Sequence, residues 1–163
     1  KPINGWGDVG SIATNDDEIA NYLTLYRNHG MSDRDHIEMW GINSRIQPFQ
    51  AIIATRVLDT VDDSNNIRIR NAKLLDEGLR DLEEFINIPK RSVEYKDVYQ
   101  LYVIRAQKRD KLVEYLQSQE IECRIHYPLP LHLQNAAKEM GHQKGHFPEC
   151  EKQAGEILSL IHI

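Results

Sequence analysis

Between Val98 and Tyr127 the chain alternates apolar strand, amphipathic helix and apolar strand within thirty residues, and no other stretch restricts the fold as strongly. Val98–Ile104 is rich in β-branched and aromatic residues and reads as a strand. Asp110–Gln119 turns Leu112, Val113 and Leu116 to one side and reads as a helix. Ile121–Tyr127 reads as a second strand, ended by Pro128 and Pro130. That order at that spacing predicts a small α/β layer. Leu133–Met140 and Pro148–Leu158 read as two further short helices, and Leu158–Ile163 as an apolar, strand-like run.

The preceding part has a different grain. Residues 1–14 read as a Gly-rich loop leading into a short strand over Val9, Ile12 and Ala13. Asn15 or Asp16 is placed to cap a helix, with Glu18 near the reciprocal position. Ile19, Tyr22, Leu23 and Tyr26 form one helical face, and Gly30 suits its stop. Residues 31–46 read as a long polar loop, a length that in compact proteins marks a functional or mobile segment. Pro48 suits the first turn of a second helix through Phe49, Ile52, Ile53, Val57 and Val61. The pattern resumes at Ile67 and runs to Leu82, so Asp62–Asn66 either breaks it or is the exposed part of one long helix.

Composition narrows the class. Twenty Lys and Arg stand against twenty-five Asp and Glu, which gives no bulk attraction for nucleic acid. Apolar runs are only a few residues long, too short to span a membrane. Cys123 and Cys150 are far apart and make neither a disulfide framework nor a CxxC site, which suits a reducing cytoplasm. Both ends read as cuts through structured sequence, so the chain is expected to be part of a larger protein.

Several constellations carry chemistry and each has a plainer reading. Gly5–Gly10 matches GxGxxG, but no strand precedes it and no helix opens over the third glycine, so a tight turn is the stronger reading. His142 and His146 have the i, i+4 spacing of zinc ligands, yet no Glu supports them and Gly145 weakens a helix, so no metal site is expected. Pro128 and Pro130 stiffen the stretch after His126 and Tyr127 and would display both in a fixed direction, suited to a polar ligand. The alternative is an edge-strand end packing its aromatic ring. Asn43, Ser44 and Arg45 lie just before a helix, where they either hold an anion or simply cap it. Lys1 has no local claim.

Taken in order, the segments resemble the DegT/StrS-type sugar aminotransferases, pyridoxal-phosphate enzymes of fold type I. Lys1–Asp16 (KPINGWGDVGSIATND) looks like the family's Schiff-base lysine and the turn and strand after it. Leu25–Gly30 (LYRNHG) resembles the end of the next helix, and Gly41–Ile53 (GINSRIQPFQAII) the Gly-x-Asn-x-Arg segment entering the interdomain helix. Arg124–Gln134 (RIHYPLPLHLQ) resembles the small-domain His-Tyr-Pro element, and Phe147–Leu160 (FPECEKQAGEILSL) the penultimate helix.

The resemblance implies an α/β fold, the C-terminal part of a fold type I transferase. Residues 1–45 would end the large cofactor domain, 46–85 bridge, and 86–163 form the small domain, truncated. It implies that Lys1 is catalytic and binds pyridoxal 5′-phosphate, because a partly desolvated lysine can lose its proton and attack a carbonyl carbon. It implies that Asn43 reaches the cofactor phosphate across a homodimer, and that Arg45, His126 and Tyr127 meet the substrate. The implied activity moves an amino group from an amino acid, glutamate by resemblance, to a nucleotide-linked keto-sugar in amino-sugar biosynthesis, in the cytoplasm. Relatives with His in place of the lysine dehydrate the sugar, so Lys1 argues for transamination. The family's cofactor half precedes the lysine, so this stretch alone is expected to be inactive. At the other end the family's usual proline after Leu-Ser-Leu is Ile161, and its last helix is missing. A sugar dehydratase or regulator of the same family, and a non-enzymatic α/β binding module, are the alternatives.

Overall fold

The computed structural model describes residues 3–160, and the chain divides into two compact units, Lys1–Asp62 and Asp63–Ile163. The first unit holds α1 (Asp17–Tyr26) and α2 (Pro48–Leu58). Asp16 caps α1 by accepting from the backbone N–H of Glu18 at 2.9 Å and of Ile19 at 3.0 Å. The helix ends at Tyr26, and Gly30 closes its stop as expected: at φ 73° it donates its N–H to Leu25 O at 2.8 Å, while Tyr26 O accepts from Ile42 N at 2.7 Å and Arg27 O from Ser44 N at 2.9 Å. No strand forms over Val9–Ala13, where the backbone joins no ladder among the described residues. Val9 packs instead so closely on Gly5 that a Cβ there would sit 2.7 Å from its Cγ2. The Gly5–Gly10 run is a set of bends with Trp6 and Gly7 at φ 57° and 119°, and the first helix waits until Asp17.

α2 stops at Leu58 and α3 (Val61–Gly78) restarts after a turn in which Thr60 N donates to Val57 O at 3.1 Å. Asp62–Asn66 therefore lies inside a helix and does not break it. Its side chains are exposed except that of Asn65.

The second unit carries β1 (Ile86–Asn87), β2 (Tyr102–Ala106), α4 (Arg109–Ser118), β3 (Cys123–Arg124), α5 (Pro148–Glu156) and β4 (Ile157–Leu160). The strands form one sheet in the order β1-β2-β4-β3, every neighbouring pair antiparallel. β2 and β3 both oppose β4, so they run parallel to each other with β4 between them. The strand–helix–strand reading thus holds as a split βαβ unit. Its core joins Ala72 of α3 to Ile86, Tyr102, Ile104, Cys123 and Leu158, flanked by Leu75, Leu79, Leu112, Val113 and Leu116.

The elements are shorter or shifted where side chains have other work. Val98–Leu101 stays out of the ladder: Tyr99 adopts φ 45° and lies under the Arg91 guanidinium, 5.1 Å from its ring centroid. Leu133–Met140 is not an α-helix but two 3₁₀ turns, Leu131–Leu133 and Asn135–Met140. α5 passes into β4 without a loop, and the buried Arg109 makes that junction tenable. Its Nη1 donates to Ala154 O at 3.3 Å in the last turn of α5 and to Ile157 O at 2.9 Å at the start of β4, bracing the helix end against the strand.

Candidate functional site

The long loop of the first unit is built. Asp33 accepts from the backbone N–H of Asp35 and His36 and from His36 Nδ1, all within 3.0 Å. Ser32 Oγ donates to Glu38 Oε1 at 2.7 Å, and Met31 bridges Ile37. The bonds from the Asp35 and His36 backbone and the His36 ring hold the Asp33 carboxyl below its ordinary range. Two glycines let this loop close on α1. Gly30 takes φ 73°, where a Cβ would land on the Met39 carbonyl, and a Cβ on Gly41 would sit 2.5 Å from Gly30 N and 2.6 Å from Tyr26 O.

That close approach delivers Asn43. Its backbone bridges Asn28, and the flanking bonds from Ile42 N and Ser44 N clamp the strand on both sides. Asn43 and Arg45 are exposed, and their side chains make no hydrogen bond or ion pair among the described residues. The plain capping reading does not apply, since Gln47 is the N-cap of α2. An amide and a guanidinium, both held out by a fixed backbone and both free to donate, are a donor set that fits a phosphate dianion.

In the second unit His126 and Tyr127 follow β3, their rings edge-to-face at 5.5 Å. Tyr127 is exposed and His126 partly buried, and the His126 Nδ1 is buried without a partner. A buried ring nitrogen left unpaired is costly until a ligand or water meets it. Asn43 and Arg45 thus belong to one loop, and His126 and Tyr127 to one strand end in the other unit. Lys1 lies outside the described residues.

Two side-chain groups were invisible to pattern reading. Glu151 Oε1 accepts from His132 Nε2 at 3.0 Å, Gly145 N at 2.7 Å and Phe147 N at 3.4 Å. Burial pushes this carboxyl up, but the Gly145, His132 and Phe147 bonds outweigh it and leave it below its ordinary range. Asp76 accepts a forked pair from Arg91 Nε and Nη2 at 3.2 and 3.1 Å and a 2.7 Å bond from the Tyr102 hydroxyl. Burial first and then the Asp76 charge push the Tyr102 phenol well above its ordinary value, against the opposing pull of Arg91. Neither group has a sequence signal, because each joins residues from distant parts of the chain. His142 meets both His146 and Phe147 edge-to-face, and no three His, Cys, Asp or Glu side chains among the described residues converge as metal ligands would. No described helix is long and apolar enough to cross a membrane.

The chain is 38% identical over 164 residues to the pleiotropic regulatory protein of Geobacillus stearothermophilus, covering 98% of this chain and 43% of that protein. It is 35% identical over 151 residues to the dTDP-3-amino-3,6-dideoxy-alpha-D-galactopyranose transaminase of Aneurinibacillus thermoaerophilus, covering 93% of this chain and 40% of that one. Its fold superposes on the crystal structure of S. venezuelae DesV in complex with a ketimine intermediate with a TM-score of 0.86 at 32% identity, covering 91% of this chain and 40% of that chain. The chain therefore spans less than half the length of these relatives. The profile of the DegT/DnrJ/EryC1/StrS aminotransferase family matches residues 1–163, and the chain belongs to that family.

Proposed function

We propose that this chain is part of a pyridoxal 5′-phosphate-dependent aminotransferase that moves an amino group from an amino acid, glutamate in particular, to a nucleotide-linked keto-sugar. The observation that carries this reading is the match of the whole chain to an aminotransferase family. The transaminase and ketimine-bearing relatives support the sugar substrate and the cofactor. Residues 1–45 would complete the large domain, 46–85 bridge to the small domain, and 86–163 form it. The cofactor, when bound, supplies an electron sink for the substrate's α-carbon.

The chain's residues would do the rest. Lys1 Nζ, deprotonated, takes a proton from the donor's α-carbon and returns one on the way to the amino-sugar. Asn43 and Arg45 donate to the phosphate or to an anionic group of the substrate, with Asn43 contributed to the site of a second copy in a cytoplasmic homodimer. His126 and the exposed Tyr127 ring beside it meet the sugar.

The test uses the full-length protein, loaded with pyridoxal phosphate, reduced with borohydride and mapped by mass. A phosphopyridoxyl group on the lysine preceding Pro2-Ile3-Asn4-Gly5-Trp6 is expected, and an unmodified lysine refutes its role. Amino-sugar formation from glutamate and a keto-sugar then separates transamination from dehydration. One observation favours a second reading: the 38% identical relative is called a regulatory protein. A regulator would keep the cofactor but yield no amino-sugar. A binding module would show no cofactor absorbance, and Asn43→Ala would change nothing.

A further inference from the structure

The stretch from Ile125 to Phe147 contains no α-helix and no ladder, only two 3₁₀ turns. Its internal hydrogen bonds close on the stretch itself: Leu133 N to Pro130 O, Gln134 N to Leu131 O, Gln134 Nε2 to Leu129 O, Ala137 N to Gln134 O, Gly141 N to Lys138 O and His146 N to Gln143 O. Such bonds shape a loop but do not attach it. Among the described residues, the side-chain bonds that tie it to the rest of the unit all meet on one atom, Glu151 Oε1 in α5.

From this geometry we infer that Glu151 is a positioning residue for the substrate-facing segment: by gripping His132 at one end and the Gly145 and Phe147 backbone at the other, it fixes the direction in which His126 and Tyr127 are displayed. The inference rests on the proposed reading that those two residues meet the sugar. A carboxylate only accepts, so His132 Nε2 carries the proton and the bond has one polarity. Both side chains are largely buried, at 8% and 15% exposure, so water competes little for the bond. The Phe147 ring covers it, 4.8 Å from the His132 ring. Glu151 also lies near the start of α5, where a negative charge is favoured by the helix dipole. Between His132 and Tyr127 stand Pro128 and Pro130, whose locked φ narrows the freedom with which one end can move without the other. Fixing His132 therefore restrains Tyr127 through the intervening chain.

The experiment compares full-length wild type with Glu151→Ala and Glu151→Gln by steady-state kinetics and by hydrogen exchange. In Glu151→Ala, amides over 125–134 are expected to exchange faster while those of β2 and α4 are unchanged. The KM for the keto-sugar is expected to rise about tenfold to a hundredfold, the size of effect a misplaced contact group produces. The KM for the amino donor and the cofactor absorbance should stay as they are. Glu151→Gln keeps an acceptor oxygen and should recover to within about threefold of wild type. If Glu151→Ala does not fold, His132→Ala, which spares the two backbone bonds, is read in the same way. Unchanged exchange over 125–134 overturns the clamp whatever the activity. Faster exchange with both KM values moved equally, or neither moved, overturns the positioning role. A wild-type protein that forms no amino-sugar from any keto-sugar overturns the parent reading, and with it the sugar-positioning role, while the exchange data still decide the clamp.

Discussion

Tyr102→Phe removes a single oxygen from the most enclosed aromatic ring of the second unit, and its cost can be worked from the contacts. Tyr102 is fully buried, so phenylalanine fills the same space without a cavity or strain. What is lost is the 2.7 Å bond from its hydroxyl to Asp76 Oδ1. Bonds to a charged acceptor contribute about 1.5–3 kcal/mol. The low end applies, because Asp76 keeps its forked pair with Arg91 and is not left as an orphaned charge. A loss of about 1.5 kcal/mol is therefore expected in urea unfolding. Asp76→Ala should cost about 3–5 kcal/mol, since it strands the buried phenol and a guanidinium only 29% exposed. The two effects should not add, because both act through one carboxylate. The sign with pH follows: the folded phenol ionises above its ordinary value of 10.0, so its contribution is complete below that pH and is lost as pH rises through the folded value. A spectrophotometric titration should show a tyrosine that ionises above the ordinary value, and Tyr102→Phe should remove it. A Tyr102→Phe protein within about 0.5 kcal/mol of wild type, or an Asp76→Ala protein no weaker than it, would refute the reasoning.

Gly41→Ala should cost more than about 1 kcal/mol, because its Cβ would push the Asn43 strand off α1, and on the role proposed for Asn43 it should also weaken pyridoxal phosphate retention; urea unfolding and equilibrium dialysis of the full-length protein check the two effects. Glu151 should make the protein acid-sensitive: its folded carboxyl ionises below its ordinary value of 4.5, so its contribution is present above that pH and lost as pH falls through the folded value. Stability measured by urea unfolding from pH 6 down to about pH 3 should therefore fall less steeply in Glu151→Gln than in wild type.

Local chemistry was readable. The Asp16 cap, the Pro48 start of α2 and the helix between β2 and β3 each depend on residues a few positions apart, and each appears where those residues put it. The sheet order was not readable, because nothing near Val98–Tyr127 announces that Ile157–Leu160 will enter between its two strands. Tyr99 misled for a different reason: an aromatic residue fits a pleated strand and equally fits a platform for Arg91, and only the fold decides between them. Asn43 and Arg45 were marked by resemblance, but the backbone clamp that presents them comes from Gly30 and Gly41, whose closeness is a matter of tertiary contact. Glu151 was silent because an acidic residue in the first turns of a helix is ordinary, and its three bonds arrive from residues up to nineteen positions away.

The order β1-β2-β4-β3 also sets a timetable. A chain leaving the ribosome presents β2, α4 and β3 before β4, and among the described residues β3 pairs only with β4. Until Ile157–Leu160 is made, β2 has only the two-residue β1 on one side and an open ladder edge on the other. Closure of this sheet thus waits on the last of its four strands in chain order, a non-local step of the slow kind. During that wait the exposed edges of β2 and β3 are the places where a nascent chain would pair with the wrong neighbour, and where a chaperone would have reason to bind.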